Sequence, residues 1–175
     1  MIWVKNRSAE VEWVVYHKDV SNGFLKLNET DAKIGAYVFG AASGNDAQSA
    51  TNIILSSGNA VNELNKNYIG YLFATVAGVS KVGSYTGNGS SQNIDCGFSN
   101  GARFVLLKKY STTGGWNLYD TTRGLVAGND HRLQVEDNGA EITDADQIDP
   151  LSSGFTVVDN TTNQNGHSFI FYAIA

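Results

Sequence analysis

Ile2-Trp3-Val4-Lys5-Asn6-Arg7-Ser8, followed by Trp13-Val14-Val15-Tyr16, returns 103 residues later as Val105-Leu106-Leu107-Lys108-Lys109-Tyr110-Ser111, followed by Trp116-Asn117-Leu118-Tyr119. Lys5, Ser8, Trp13 and Tyr16 fall on Lys108, Ser111, Trp116 and Tyr119, and apolar Ile2, Val4 and Val15 fall on apolar Val105, Leu107 and Leu118. Further along, Leu25, Leu27 and Ala32 pair with Leu133, Val135 and Ala140 at a spacing of 108. Asn62, Ile69, Tyr71 and Ala74 pair with Asn163, Ile170, Tyr172 and Ala175 at a spacing of 101. The chain therefore reads as two related halves, residues 1–75 and 103–175, joined by residues 76–102. Two copies of this size do not make a solenoid, which needs at least about three short repeats to bury a continuous core. They point to a duplicated sheet-forming unit whose copies face each other.

Nineteen glycines, one proline and many Asn, Ser, Thr and Asp residues punctuate short apolar segments. Such punctuation belongs to an all-β sandwich or barrel. Alternation or short apolar runs select strands at Ile2–Lys5, Val11–Tyr16, Phe24–Leu27, Ile53–Leu55 and Tyr68–Ala74. In the second half they select Phe104–Lys108, Trp116–Tyr119, Arg132–Val135, Phe155–Val158 and Phe169–Ile174. Helical spacing is confined to Ala47–Ile54 and Ala140–Ile148, and Asp144, Asp146 and Asp149 make the second read as a polar turn. Between the halves, Asn88-Gly89 is a hairpin signal, because both residues tolerate the positive φ of a type I′ turn. No counterpart of that hairpin precedes Ile2. The expectation is an uncovered strand edge at Ile2–Lys5 that contacts another chain.

A chain of 175 residues is of a size to form one domain. Its net charge of −5, with the basic residues dispersed, argues against nucleic acid as a partner, since the phosphate backbone demands a basic face. The lone Cys96 cannot form an intrachain disulfide and reads as a small buried residue. Met1 runs directly into Ile2-Trp3-Val4-Lys5 without a basic start or an apolar run, so no secretory leader is expected. No stretch reaches about 18 uninterrupted apolar residues, and no membrane insertion is expected.

Catalytic chemistry finds little to work with. Glu29-Thr30-Asp31 and Glu10-Val11-Glu12 place acids at alternate positions, but neither continues into the carboxylate array of a sandwich-fold glycoside hydrolase. Ser84 lacks the Gly-x-Ser-x-Gly elbow, and His17, His131 and His167 are separated from one another and read as surface residues. Glu136, Asp137, Glu141, Asp144, Asp146 and Asp149 are oxygen donors that calcium could use, yet they miss the Asp-x-Asp-x-Asp-Gly loop pattern. The stretch is expected to form a solvated acidic turn without metal. Trp13 and Trp116, at one repeat position, are expected to pack between the sheets. Tyr16, Tyr85 and Tyr119 are left as candidates for an exposed surface. No catalytic residue, cofactor or metal ligand is assigned.

Gly83-Ser84-Tyr85-Thr86-Gly87-Asn88-Gly89, Phe104-Val105-Leu106-Leu107-Lys108, Trp116-Asn117-Leu118-Tyr119-Asp120, Asp149-Pro150-Leu151-Ser152-Ser153-Gly154-Phe155 and Tyr172-Ala173-Ile174-Ala175 occur in this order. The series resembles an uncharacterised concanavalin-like domain family of tailed-phage tail-fibre and other virion structural proteins, often from marine phages. Trp3-Val4-Lys5-Asn6-Arg7-Ser8 and Tyr71-Leu72-Phe73-Ala74 resemble the preceding half of the same unit. The resemblance implies a jelly-roll or concanavalin-like β-sandwich on the exterior surface of a phage particle. It further implies a non-enzymatic adhesion or accessory module of the tail, or a decoration of the particle. Other virion proteins, copies of the same chain and a host-surface glycan are the partners it suggests. A carbohydrate-binding lectin module is the alternative reading, and a sandwich-fold glycoside hydrolase the third.

Overall fold

The structure is a computed structural model that describes residues 1–40, 48, 49 and 51–175. Among these residues thirteen strands and one short helix follow in chain order: β1 Ile2–Asn6, β2 Val14–Tyr16, β3 Leu25–Lys26, β4 Tyr68–Leu72, β5 Ser80–Thr86, β6 Gln92–Asp95, β7 Phe104–Lys109, β8 Trp116–Asp120, β9 Asp130–Gln134, β10 Ile142–Ala145, β11 Ile148–Leu151, β12 Gly154–Val157, α1 Asn160–Asn163 and β13 Ser168–Ile174. They form three antiparallel sheets in the orders β3-β2-β1-β4, β10-β9-β8-β7-β13-β5 and β11-β12-β6. The fold is an all-β sandwich. Helix α1 has four residues and is capped by the Asp159 carboxylate, which accepts from the Thr162 amide.

The repeat appears in the hydrogen-bond registers. Ile2 faces Tyr16 as Val105 faces Tyr119, both shifted by 103. Trp3 faces Tyr71 as Leu106 faces Tyr172, and Val15 faces Leu25 as Leu118 faces Leu133, so the spacings of 101 and 108 also return. Strands β1, β2, β3 and β4 thus repeat as β7, β8, β9 and β13. Several side-chain contacts repeat with them. The Lys5 ammonium donates to the Val11 carbonyl as that of Lys108 does to Gly114. The Ser8 hydroxyl accepts from the Asn67 amide as Ser111 does from Ser168. The Asn28 amide oxygen accepts from the Trp13 backbone as the Glu136 carboxylate does from Trp116. Identical residues at the repeat positions therefore hold up strand ends, a structural task that explains Lys and Ser among apolar neighbours.

The six-stranded sheet is the middle layer. Alternate residues of its strands go to opposite faces. Leu106, Trp116, Ile170 and Val82 pack with Val15, Leu25 and the partly buried Trp3 of the four-stranded sheet and with Trp13 just before β2. On the other face Val105, Leu107, Tyr119, Phe169 and Phe171 pack with Ile94, Ile148, Phe155 and Val157 of the three-stranded sheet. The outer face of the four-stranded sheet, Ile2, Val4, Val14 and Tyr16, is covered by Phe39, Val61 and the partly buried Leu55. Phe39 and Leu55 meet in an isolated bridge, so a third regular layer is built only over the second half.

Four expectations are corrected. Asn88-Gly89 does not close a hairpin, because β5 pairs with β13 while β6 pairs with β12 in another sheet. Gly89 does take positive φ, but the amides of Asn88 and Gly89 bond to Asn163, which anchors the link to the end of α1. The turn signal was local and could not choose the sheet. Second, Ile2–Asn6 is not an open edge, being paired on both sides by β2 and β4. Third, the acidic stretch is not a plain turn, since it contains β10 and the start of β11. Both are edge strands, where charge and proline discourage further pairing, which accounts for Asp144, Asp149 and Pro150. Fourth, Ile53–Leu55 contributes only the Leu55 bridge. Of the helical candidate Ala47–Ile54, Ala47 and Ala50 lie outside the described residues, and the described positions are not helical.

Gly154 marks the closest approach between β12 and β6, where a Cβ would collide with the Ile94 carbonyl oxygen and press on the Cys96 amide at 3.0 Å. Those are backbone atoms of a paired strand and cannot swing aside. Gly154→Ala is expected to cost about 1–3 kcal/mol of stability, the range for overpacking. Urea unfolding checks it, and an unchanged midpoint would contradict this account of the strand contact.

Candidate functional site

Edge strands β5 and β6 belong to different sheets and leave an open groove of about 630 Å³ between them. Lys81 and Ser84 come from β5, Gln92, Asn93 and Asp95 from β6, Thr75 from the segment after β4, and Lys18 and Asp19 from the turn after β2. Its apolar component is small. A Cβ on Gly83 would meet the Phe171 ring at 2.5 Å, so the ring lies against the bare backbone of β5 and is itself buried. Several polar groups keep free hydrogen-bonding capacity. Asp95 uses Oδ1 to accept from the Gly97 amide, 2.8 Å, and Asn93 uses Oδ1 to accept from Thr156, 2.9 Å. Oδ2 of the first and the amide group of the second remain for a ligand. Gln92 Oε1 is buried with no partner among the described residues.

Charge at the groove is organised around Asp19. Partial burial raises its pKa, but hydrogen bonds from Lys18 and Ser84 outweigh this and hold the carboxyl below the ordinary value. Lys18 reaches it at 2.8 Å. Behind them His17 is fully buried, and its Nδ1 accepts from the Asp19 amide at 3.2 Å. Burial drives its pKa down to about 4, so the imidazole is neutral around pH 7. A neutral ring with Nδ1 accepting carries its proton on Nε2. The surface role expected of His17 is thereby corrected: it is a packing and orienting residue under the turn.

The remaining sequence candidates are dispersed. Glu12 pairs with Lys26 at 2.9 Å and Asp31 with the same ammonium at 3.6 Å, a surface ion cluster. His131 lies 3.6 Å from Glu141, and Ser111 shares a 3.2 Å hydrogen bond with His167, with no carboxylate in a third role. Within the acidic segment, Glu136 Oε2 accepts from the Trp116 amide, Glu141 pairs with Arg123 and His131, and Asp149 accepts from the Gly128 amide. No three His, Cys, Asp or Glu residues gather in a metal-binding arrangement among the described residues. Cys96 is buried, with its thiol pushed up to about 12 by desolvation.

The aromatic candidates are corrected too. Tyr16 and Tyr119 are buried, and Tyr85 stacks on Phe169 with ring centroids 5.0 Å apart and its hydroxyl on the Thr162 carbonyl. None offers a face to a sugar. Trp116 is buried between the sheets as expected, whereas Trp13, equivalent in position, is only partly covered and lies 6.0 Å from Tyr71. Sequence reasoning missed the groove because its polar residues come from four separate segments and share no spacing.

Fold and groove together define a duplicated β-sandwich with a polar cleft between two sheet edges. The chain belongs to the family described as a domain of unknown function (DUF7483), which matches residues 1–175. No curated protein and no solved structure matches the chain.

Proposed function

We propose that the protein is a non-enzymatic structural module on the exterior of a tailed-phage particle, where it acts as an adhesion or accessory part of the tail. The observation that carries the binding role is the groove between β5 and β6. Carboxylate, amide, hydroxyl and ammonium groups from four segments converge there around little apolar surface. Neighbouring hydroxyls of a sugar both donate and accept, which suits such a mixed lining, whereas an apolar ligand would leave it unsatisfied. The assignment to a phage particle rests on the motif series read from the sequence. The same groove supports a carbohydrate-binding lectin module as the second reading. The Ser84 hydroxyl bonds to Asp19, but that carboxyl is held below its ordinary value by Lys18 and is a weak base, so the groove residues are given binding rather than reacting roles.

The test is a glycan array with the purified protein, followed by titration of any hit against Asp95→Ala. Loss of a charge-assisted hydrogen bond is expected to weaken binding at least about tenfold. Antibody labelling of tailed-phage particles separates the two readings: binding with a labelled particle exterior supports the virion module, and binding without labelling supports the lectin. An array without hits, or a hit indifferent to Asp95, overturns the groove assignment.

A further inference from the structure

The two halves differ most at one strand. In the second half β13 is flanked by β5 and covered on both faces, with Ile170 and Ala173 fully buried. Its counterpart β4 has β1 on one side and no described strand on the other. Ile69, Tyr71 and Leu72 are 37%, 45% and 66% exposed, where the repeat partners are Ile170, Tyr172 and Ala173. The backbone is open as well. Arg7 donates to the Asn67 carbonyl and Phe73 donates to the Met1 carbonyl, so odd-numbered residues of this strand turn toward β1. By the alternation of an antiparallel ladder, Tyr68, Gly70 and Leu72 direct their N–H and C=O groups outward. The equivalent positions Phe169, Phe171 and Ala173 face Tyr85, Gly83 and Lys81 of β5.

Every other sheet edge among the described residues is protected. β3 carries Lys26, β5 Lys81, β6 Asp95, β10 Asp144, and β11 both Asp149 and Pro150, whereas Tyr68-Ile69-Gly70-Tyr71-Leu72 has neither charge nor proline. Such residues are the usual means of discouraging strand addition. Their absence at this one edge indicates that it is covered in the working protein.

We infer that β4 pairs antiparallel with β4 of a second copy of this chain, making a two-fold dimer with a continuous sheet across the interface. The sequence is self-complementary about Gly70. Gly70 faces Gly70, Ile69 faces Tyr71 on one face of the sheet, and Tyr68 faces Leu72 on the other. Each is an aromatic–aliphatic pair, of the kind that stabilises cross-strand contacts. The outward backbone groups of Tyr68, Gly70 and Leu72 fall into the hydrogen-bonded positions of this register, as a two-fold axis at Gly70 requires. The second copy's β4 takes the place that β5 holds against β13. The dimer does not depend on what the groove binds.

Sedimentation of the full chain across a wide concentration range tests this. The wild type is expected to dimerise. Gly70→Pro removes an outward N–H without touching the ladder to β1, and Leu72→Lys places a charge on the bare edge. Each is expected to weaken dimerisation at least about a hundredfold with an unchanged far-UV circular dichroism spectrum. If one variant fails to fold, the other decides. A wild type that stays monomeric, or a dimer that persists in the folded variants, overturns the inference. A monomeric wild type that binds a synthetic peptide of the sequence Ser80–Thr86 assigns the edge to a foreign strand instead.

Discussion

Trp116→Ala is expected to lower the unfolding free energy by about 3–5 kcal/mol, the range for emptying a large aromatic site in a core. Trp116 is 1% exposed between the four- and six-stranded sheets. Its Nε1 donates to the Lys26 carbonyl at 2.8 Å, so truncation also leaves an acceptor from the opposite half unsatisfied. The Lys108 ammonium lies 5.9 Å from the ring centroid and would lose a favourable face over which its charge sits. Trp13→Ala, at the equivalent repeat position, removes a ring that is already partly in water and is expected to cost about 1–2 kcal/mol. Chemical denaturation of both variants measures the contrast. Equal losses, or a Trp116 loss under about 1 kcal/mol, would mean that the two sheets do not rely on this ring.

The second large effect is on acid stability. His17 is fully buried, with its pKa lowered from 6.5 to about 4 by desolvation and by the nearby Lys18 and N-terminal charges, against an opposing pull from Asp19. Below pH 6.5 the unfolded chain therefore binds a proton that the folded chain refuses. The stabilisation is fully present above pH 6.5, declines as pH falls, and is lost by about pH 4. Its size is about 3 kcal/mol. Asp130, whose carboxyl is raised by burial, acts in the opposite sense. Melting temperatures from pH 7.5 to 4 on the wild type and on His17→Asn read the effect. The variant should start lower and show a flatter profile, and parallel profiles would assign the acid sensitivity to other groups.

Much of the fold was legible because duplication writes tertiary structure into one sequence twice. Trp, Lys and Ser recurring together at a spacing of 103 identified strands, and the spacings of 101 and 108 proved to be strand registers. The third sheet was less legible. Its β11 and the neighbouring edge strand β10 carry Asp149, Pro150 and Asp144, which suit an edge and mimic a turn. At Asn88-Gly89 the chain does turn, but which sheet a strand joins is settled by packing far away in sequence. His17 illustrates the limit for single residues, since a histidine beside Lys18 and Asp19 reads as wet until the sheets dock and bury it. The groove was invisible for the same reason: Asp19, Ser84 and Asp95 meet only after three separate segments have docked.

The position of β13 bears on how the protein emerges from the ribosome. β13 sits inside the six-stranded sheet, bracketed by β5 and β7, yet both are translated well before it. While synthesis continues, the flanks of these two strands that β13 will pair keep their backbone N–H and C=O groups without a ladder partner. The first half has no such gap, because β4 adds at the margin of strands already in place. Pairings so distant along the chain make closure slow and leave the nascent polypeptide exposed to sticking. The amino-terminal sheet is therefore the part able to take shape early, and the middle layer locks only when its latest strand slides between two waiting neighbours.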